Sequence, residues 1–162
     1  MFVFQPLSRP TRGERQFYIA MVFLALMGAL LACTITMRLA AQGADRIALD
    51  PFTVWTLFAG AVGALTAFFG AYSRWFGHPG LGGWGRAAIG GLIISGVGSV
   101  VGGSLILPYY GTMFAPFQLV IAMIGYPALG IAWIATLAAV HRLLIQWQAE
   151  RNSIFYQQEP IV

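Results

Sequence analysis

The sequence predicts an all-α membrane protein, a single domain (1–162) in which four transmembrane helices form a bundle with both ends in the cytoplasm. The composition is the first reason. Of 162 residues, 59% are apolar and only 9% are Asp, Glu, Lys or Arg, against about 25% charged residues in soluble domains. A folded chain with so few charges cannot cover itself with a water-compatible surface, so lipid must take that place. The second reason is the distribution of what charge there is. Four stretches, 17–37, 51–73, 87–107 and 111–140, contain no Asp, Glu, Lys, Arg or His, and about 20 apolar residues suffice to cross a bilayer as helix. The third is arginine asymmetry. All nine basic residues are Arg. With the N-terminus inside, Arg9, Arg12, Arg15, Arg74, Arg86, Arg142 and Arg151 fall on one side and only Arg38 and Arg46 on the other, which sets the orientation.

Helix is required as well as permitted. In hydrocarbon every backbone N–H and C=O must be paired inside the protein, and a helix does so locally. A barrel would alternate apolar and polar positions over about ten residues; Leu57-Phe58-Ala59-Gly60-Ala61-Val62 does not alternate.

The first span, 17–37, follows Arg9, Arg12 and Arg15. Ending in Leu30-Leu31-Ala32-Cys33, it has the pattern of a bacterial lipoprotein signal, in which Cys33 would be lipidated and the preceding residues removed. The apolar run continues to Met37, as a retained span would, and Cys33 then reads as a small buried residue. The lone cysteine allows neither an intrachain disulfide nor a cysteine metal cluster. The second span, 51–73, opens with Asp50 as N-cap and Pro51 as first helical residue. The third, 87–107, is closed by Pro108. The fourth, 113–140, is expected as one helix opened by Pro116 after a turn at Gly111–Ala115. Pro127 removes one of its hydrogen bonds and kinks it. The tail, 141–162, continues this helix into the cytoplasm, where Leu143, Leu144, Trp147, Ile154 and Phe155 form an apolar stripe along the membrane surface. Residues from Gln157 through Pro160 are expected to be loose, and Met1–Phe4 to tuck against bilayer or partner. Tyr18, Trp55, Trp75, Trp84, Tyr109, Tyr110 and Trp147 fall near span ends, where amphipathic rings sit best; Trp133 lies well inside.

Apolar burial cannot drive helices together in lipid, so close packing of small residues must. Ala87, Gly91, Ser95, Ser99 and Gly103 recur every four residues, and Gly98 and Gly102 add a GxxxG on the neighbouring face. Ala59, Gly63, Ala67 and Ala71 make a similar ridge on the second span, and Ala128, Ala132, Thr136 and Val140 a looser one on the fourth. The second and third spans are expected to pack through these ridges, with a partner subunit or a second copy as the alternative occupant.

Candidate sites are few. The stretch Ser73–Arg86, with five Gly, two Arg and two Trp, reads as an interfacial loop whose Arg74, Trp75, Trp84 and Arg86 contact lipid headgroups; it lacks the Gly-Lys-Ser/Thr ending of a P-loop. His78 and His141 are the only candidate cofactor ligands, for haem or metal, and His141 at a helix end also suits the helix dipole. Bound lipid is expected; haem or pigment is unsupported, and no catalytic or metal residues are assigned. No charged residue lies within the spans, which disfavours a carboxylate proton path. The hydroxyls there can bond their own helices, and Gln118 is expected to bond Tyr109 or Tyr110. Scattered arginines favour anionic headgroups over nucleic acid. The composition therefore fits a small polytopic protein of a bacterial inner membrane, a non-catalytic accessory or assembly subunit of a larger complex. The alternatives are an oligomeric channel or carrier for a small solute and, further off, a haem- or lipid-binding membrane enzyme.

Overall fold

The computed structural model describes residues 10–40 and 50–156. The expectations for Met1–Phe4, Arg9, Arg46 and the last six residues lie outside the described residues, as do those for the side chains of Arg38, Ile154 and Phe155. Five helices follow one another: α1 (Arg12–Ala40), α2 (Pro51–Trp75), α3 (Gly80–Ile106), α4 (Tyr110–Gly125) and α5 (Pro127–Tyr156). Four of them, α1, α2, α3 and α5, are long and apolar enough to cross a membrane. The protein is a helical membrane bundle.

α2 is the central helix, packed against α1 on one side and α3 on the other, while α5 closes the bundle against α1 and α3. Its interior sets small residues at the helix contacts beside large ones such as Leu24, Phe68, Phe76, Ile94 and Leu144. Ala20, Ala59, Ala64, Ala67, Ala71 and Ala87 are buried, whereas Phe58, Phe69, Leu92, Ile131 and Ile134 are exposed. Large apolar side chains exposed around the bundle suit a solvent of hydrocarbon, and small ones at the helix contacts let backbones approach closely. The contacts are backbone to backbone. A Cβ on Gly28 would sit 2.6 Å from the Ala64 methyl and 2.7 Å from the Gly60 carbonyl oxygen, and one on Gly60 would collide with the Gly28 carbonyl. A Cβ on Gly63 would sit 2.5 Å from the Gly98 carbonyl oxygen and 2.8 Å from the Gly102 nitrogen.

The local signals at the helix ends are capping ones. Asp50 accepts the Thr53 N–H at 2.8 Å ahead of Pro51. At the head of α1, Thr11 and Glu14 form a reciprocal capping box: the Glu14 N–H bonds the Thr11 hydroxyl at 3.2 Å, and the Thr11 N–H bonds the Glu14 carboxylate at 2.9 Å. The Ser/Thr-x-x-Glu spacing announces this arrangement, although the reading of the first span passed over it. Glu150 of α5 accepts the Gly13 N–H, so the positive end of the α1 dipole meets a carboxylate from another helix.

Two expected elements differ. Ser73–Arg86 is not a loop: α2 runs to Trp75 and α3 begins at Gly80, leaving only Phe76–Pro79 between them. Glycine lowers helix propensity, but here its lack of a side chain admits the neighbouring turn. A Cβ on Gly83 would strike the His78 carbonyl, and one on Gly90 would lie 2.5 Å from Trp75 Cβ and 2.7 Å from the Phe76 ring. Packing outweighs propensity.

The expected fourth span, 113–140, is two helices. Tyr126 is non-helical, with φ −131° and ψ 80°, as the residue before a proline prefers. Its N–H ends α4 on the Ala122 carbonyl at 2.9 Å, and its own carbonyl starts α5 by accepting the Leu129 N–H at 2.9 Å. The kink expected at Pro127 is a full break. Pro116 does not open the helix either. Gly111–Ala115 is helical, Pro116 lies inside α4, and the turn is at Leu107–Tyr109, where Tyr109 takes φ 69°.

The break changes the direction of the chain. Trp133 bonds Ser95, which fixes their relative depth. From Ser95 to Ile106 α3 climbs about 16 Å, and from Trp133 back to Pro127 α5 climbs about 9 Å. α4, about 24 Å long, joins two points only about 7 Å apart in depth. It runs across the bundle near the end that holds the α3–α4 turn.

Two outcomes follow from these contacts. Gly60→Ala should destabilise the bundle by about 1–3 kcal/mol by forcing α1 off α2, while Gly70→Ala on the same helix, where nothing lies within 4 Å, should be neutral or stabilising by up to about 1 kcal/mol; detergent-denaturation midpoints separate them. The Thr53 side chain and N–H hold the Asp50 carboxyl below the usual carboxylate range. The cap therefore stabilises fully above the unfolded carboxylate pKa, about 4, and is lost as pH falls through the lower folded value. Asp50→Asn should remove that acid-side dependence from the thermal midpoint.

Candidate functional site

The small residues that bring the helices together leave space between them at the end nearer α4. A half-enclosed cavity of about 500 Å³ lies there, bounded by α1, α2 and α3, crossed by α4 and floored by Trp133. Its wall includes Gly28, Gly60, Gly98, Gly102 and Gly103. The cavity is open on one side, so its contents enter from outside the bundle.

Water is a poor candidate, because it needs about two to four polar partners per molecule. The hydroxyls in the wall are already bonded to their own helices: Thr36 to the Ala32 carbonyl at 2.9 Å, Ser95 to Gly91 at 2.7 Å and Ser99 to Gly96 at 2.8 Å. Ser95 in addition accepts the Trp133 indole N–H at 2.8 Å, so the ring that seemed misplaced inside a span is buried, bonded and part of the cavity floor. Among the described residues, the Gln118 amide and the Tyr110 hydroxyl make no hydrogen bond, and both line the cavity. The expected bond from Gln118 to Tyr109 or Tyr110 is not formed.

The small-residue ridges divide their work. Ala59, Gly63, Ala67 and Ala71 are all buried, and α2 meets α3 through Gly98 and Gly102: their Cβ positions would lie 3.3 Å from the Gly63 carbonyl oxygen and 3.2 Å from that of Ala59. The four-residue ridge of α3 faces elsewhere. Gly91 meets Leu137, Ser95 meets Trp133, Gly103 meets Gly111 and Ala115, and Ser99 lines the cavity. The Gly98–Gly102 face is thus occupied within the chain, which removes it as a surface for a partner.

The opposite end is a stapled turn. His141 and Gln148, seven residues apart on one face of α5, hold Phe76 and Gly77: the Gly77 N–H donates to His141 Nδ1 at 3.2 Å, and Gln148 Nε2 donates to the Phe76 carbonyl at 3.2 Å. Gly77, with φ +83°, makes this turn possible because no side chain opposes that conformation. His141 is fully buried, edge-on to Trp84 at 4.7 Å and to Phe76 at 6.2 Å between ring centroids. With Nδ1 accepting, the neutral ring carries its proton on Nε2, which has no hydrogen-bond partner among the described residues. His78 bonds instead to the Arg74 carbonyl at 3.2 Å, so each histidine is engaged with the turn rather than with the other. Arg74 lies 5.9 Å over Trp75, and Arg142, not Arg86, covers Trp84 at 5.9 Å. Arg74 and Arg86 are exposed. Trp147 packs with Phe17 at 5.0 Å and Tyr72 at 6.1 Å, inside the bundle rather than on the membrane surface. Among the described residues no group of three or more His, Cys, Asp or Glu is placed to hold a metal.

Compared with known proteins, the chain matches no family model, no curated protein and no solved structure.

The sequence named Ser95, Gly98, Ser99, Gly102 and Gly103 for packing, and the structure puts all five in the cavity wall as well. Helical spacing reveals small faces; it does not say where a fifth helix leaves them uncovered.

Replacing His141 by Phe keeps the ring packing but strands the buried Gly77 N–H. It should lower stability by about 1–3 kcal/mol and raise amide exchange at Gly77 first, as read by hydrogen–deuterium exchange.

Proposed function

We propose that this chain is a multi-pass protein of a bacterial inner membrane, with both ends cytoplasmic, that serves as a non-catalytic accessory or assembly subunit of a larger membrane complex. The observation that carries this reading is the state of its hydroxyls. Thr34, Thr36, Thr56, Ser95, Ser99, Ser104 and Thr136 each donate to a carbonyl of their own helix at 2.7–2.9 Å. A path for ions or polar solutes needs a continuous file of groups able to replace water around the solute; here the hydroxyl protons are committed to their own helices, which leaves only oxygen lone pairs to offer. Binding in the plane of the membrane is the role that needs no such file.

Orientation follows from the arginines. The end that carries Arg12, Arg15, Arg74, Arg86, Arg142 and Arg151 is cationic, as the cytoplasmic end of an inner-membrane protein is. α5 extends this end beyond Val140 and is tied to α1 by Glu150 with Gly13 and by Gln146 with Gln16 at 2.5 Å, so the extension belongs to the bundle.

Purified from native membranes in a mild detergent, the chain should elute in stoichiometric complex with other membrane subunits. Elution as a homo-oligomer alone would contradict the subunit reading and favour an oligomeric channel or carrier. In a Cys33→Ser background, Ser8→Cys and Asn152→Cys should both react with a membrane-impermeant maleimide only when the cytoplasmic face is exposed; labelling from opposite faces would reverse the orientation.

A further inference from the structure

We propose that the cavity between α1, α2, α3 and α4 is a binding site for one neutral single-chain amphiphile, a long-chain or isoprenoid alcohol or carbonyl compound, with its hydrocarbon chain along α3 and its head at Gln118. The dimensions point to an extended hydrocarbon chain. Along α2 the lining runs from Phe52 to Ala64, and along α3 from Ile94 to Leu107, which are lengths of about 18 Å and 20 Å. A cavity of about 500 Å³ that runs for about 20 Å has the proportions of a slot for an extended hydrocarbon chain. The volume also lies in the range of pockets that bury a whole small ligand, about 300–1,000 Å³.

The wall fixes the chemistry. Along the length of the channel it offers methyl and methylene groups, glycine backbone and hydroxyls already bonded to their helices. The free hydrogen-bonding groups are on α4: the Gln118 amide, which both donates and accepts, and the Tyr110 hydroxyl at the rim, 68% exposed. A half-buried amide without a partner is costly in hydrocarbon, and a hydroxyl or carbonyl head would satisfy it. No Arg, His, Asp or Glu lines the cavity among the described residues, so nothing there would compensate a phosphate or carboxylate. The head is therefore uncharged. This site does not depend on the subunit reading, since a chain that purifies alone would still carry it.

The test uses the full chain in phosphatidylcholine vesicles with a diazirine-bearing stearyl alcohol as photoprobe, adducts being mapped by peptide mass spectrometry. We expect adducts concentrated between residues 94 and 119, competed by unlabelled stearyl alcohol, while labelling of lipid-facing Leu92 and Ile134 is not competed. Ser99→Phe, which fills the cavity from α3, should reduce the competed adducts at least about fivefold, and Ala115→Phe does the same from α4 should Ser99→Phe fail to fold. Gln118→Leu should weaken competition about tenfold, the worth of one buried hydrogen bond. Even, uncompeted labelling, or labelling indifferent to both cavity-filling variants, would overturn the site. Unchanged competition in Gln118→Leu would overturn the placement of the head. Labelling of the same segment by a diazirine phosphatidylcholine that stearyl alcohol does not displace would overturn the single-chain assignment.

Discussion

The structure depends on backbones touching. Between α1 and α2 the contact is Gly28 against Gly60, and between α2 and α3 it is Gly63 against Gly98 and Gly102. In water, such a bundle would be held by large apolar side chains leaving solvent. In hydrocarbon that force is absent between helices, and dispersion over a close approach takes its place. Gly28, Gly60 and Gly63 leave no room for a Cβ, and Gly98 and Gly102 admit one only if a neighbour gives by a few tenths of an ångström, whereas Gly70, Gly82 and Gly96 have nothing within 4 Å. The same shortage of side chains has a second consequence. Toward the α3–α4 turn, where α2 still meets α3 through Trp55 and the Leu105 carbonyl, the small faces of the three helices line the cavity instead of filling it.

α4 turns that gap into a shaped site. The turn at Tyr109 sends the chain into α4, and because Pro127 has no N–H and holds Tyr126 out of helical geometry, α4 ends there and α5 starts in a new direction. α4 is thereby laid over the cavity and carries Gln118 to its wall. At the other end the chemistry is opposite in kind: His141 and Gln148 meet backbone groups of the tight turn between α2 and α3, and Glu150 meets the head of α1. One end is fastened by polar contacts from α5. The other is left open to hydrocarbon.

Much of this was legible before any coordinates. The four charge-free stretches, the Asp50–Pro51 helix start and the partnership of the second and third spans can all be read from the residues, because span length and backbone satisfaction are dictated by the bilayer itself. The failures have physical reasons. Two small faces on α3 lie side by side, and periodicity does not say which one meets α2; the answer was Gly98 and Gly102 rather than the longer ridge. Proline at 127 is compatible with a kink or a break, and the outcome depends on whether α5 has a partner to pack against after the interruption, which Ser95 provides by bonding Trp133. The glycine-rich stretch from 80 to 86 looked like loop because propensity argues so, yet Gly83 and Gly90 are what allow the turn and α3 to touch. Thr11–Glu14 was readable and missed.

Register between α2 and α3 is the point on which the account stands, and disulfide mapping reads it directly. In a Cys33→Ser background, the pair Ala59→Cys with Gly102→Cys lies at the backbone contact and within reach of a disulfide, whose Cα atoms are usually about 4.4–6.8 Å apart. The pair Ala59→Cys with Gly103→Cys is rotated about one hundred degrees away on α3. In native membranes treated with mild oxidant, the first pair should cross-link rapidly and the second should not. Preferential cross-linking of the Gly103 pair would mean that the longer ridge faces α2, and both the packing and the cavity described here would be wrong.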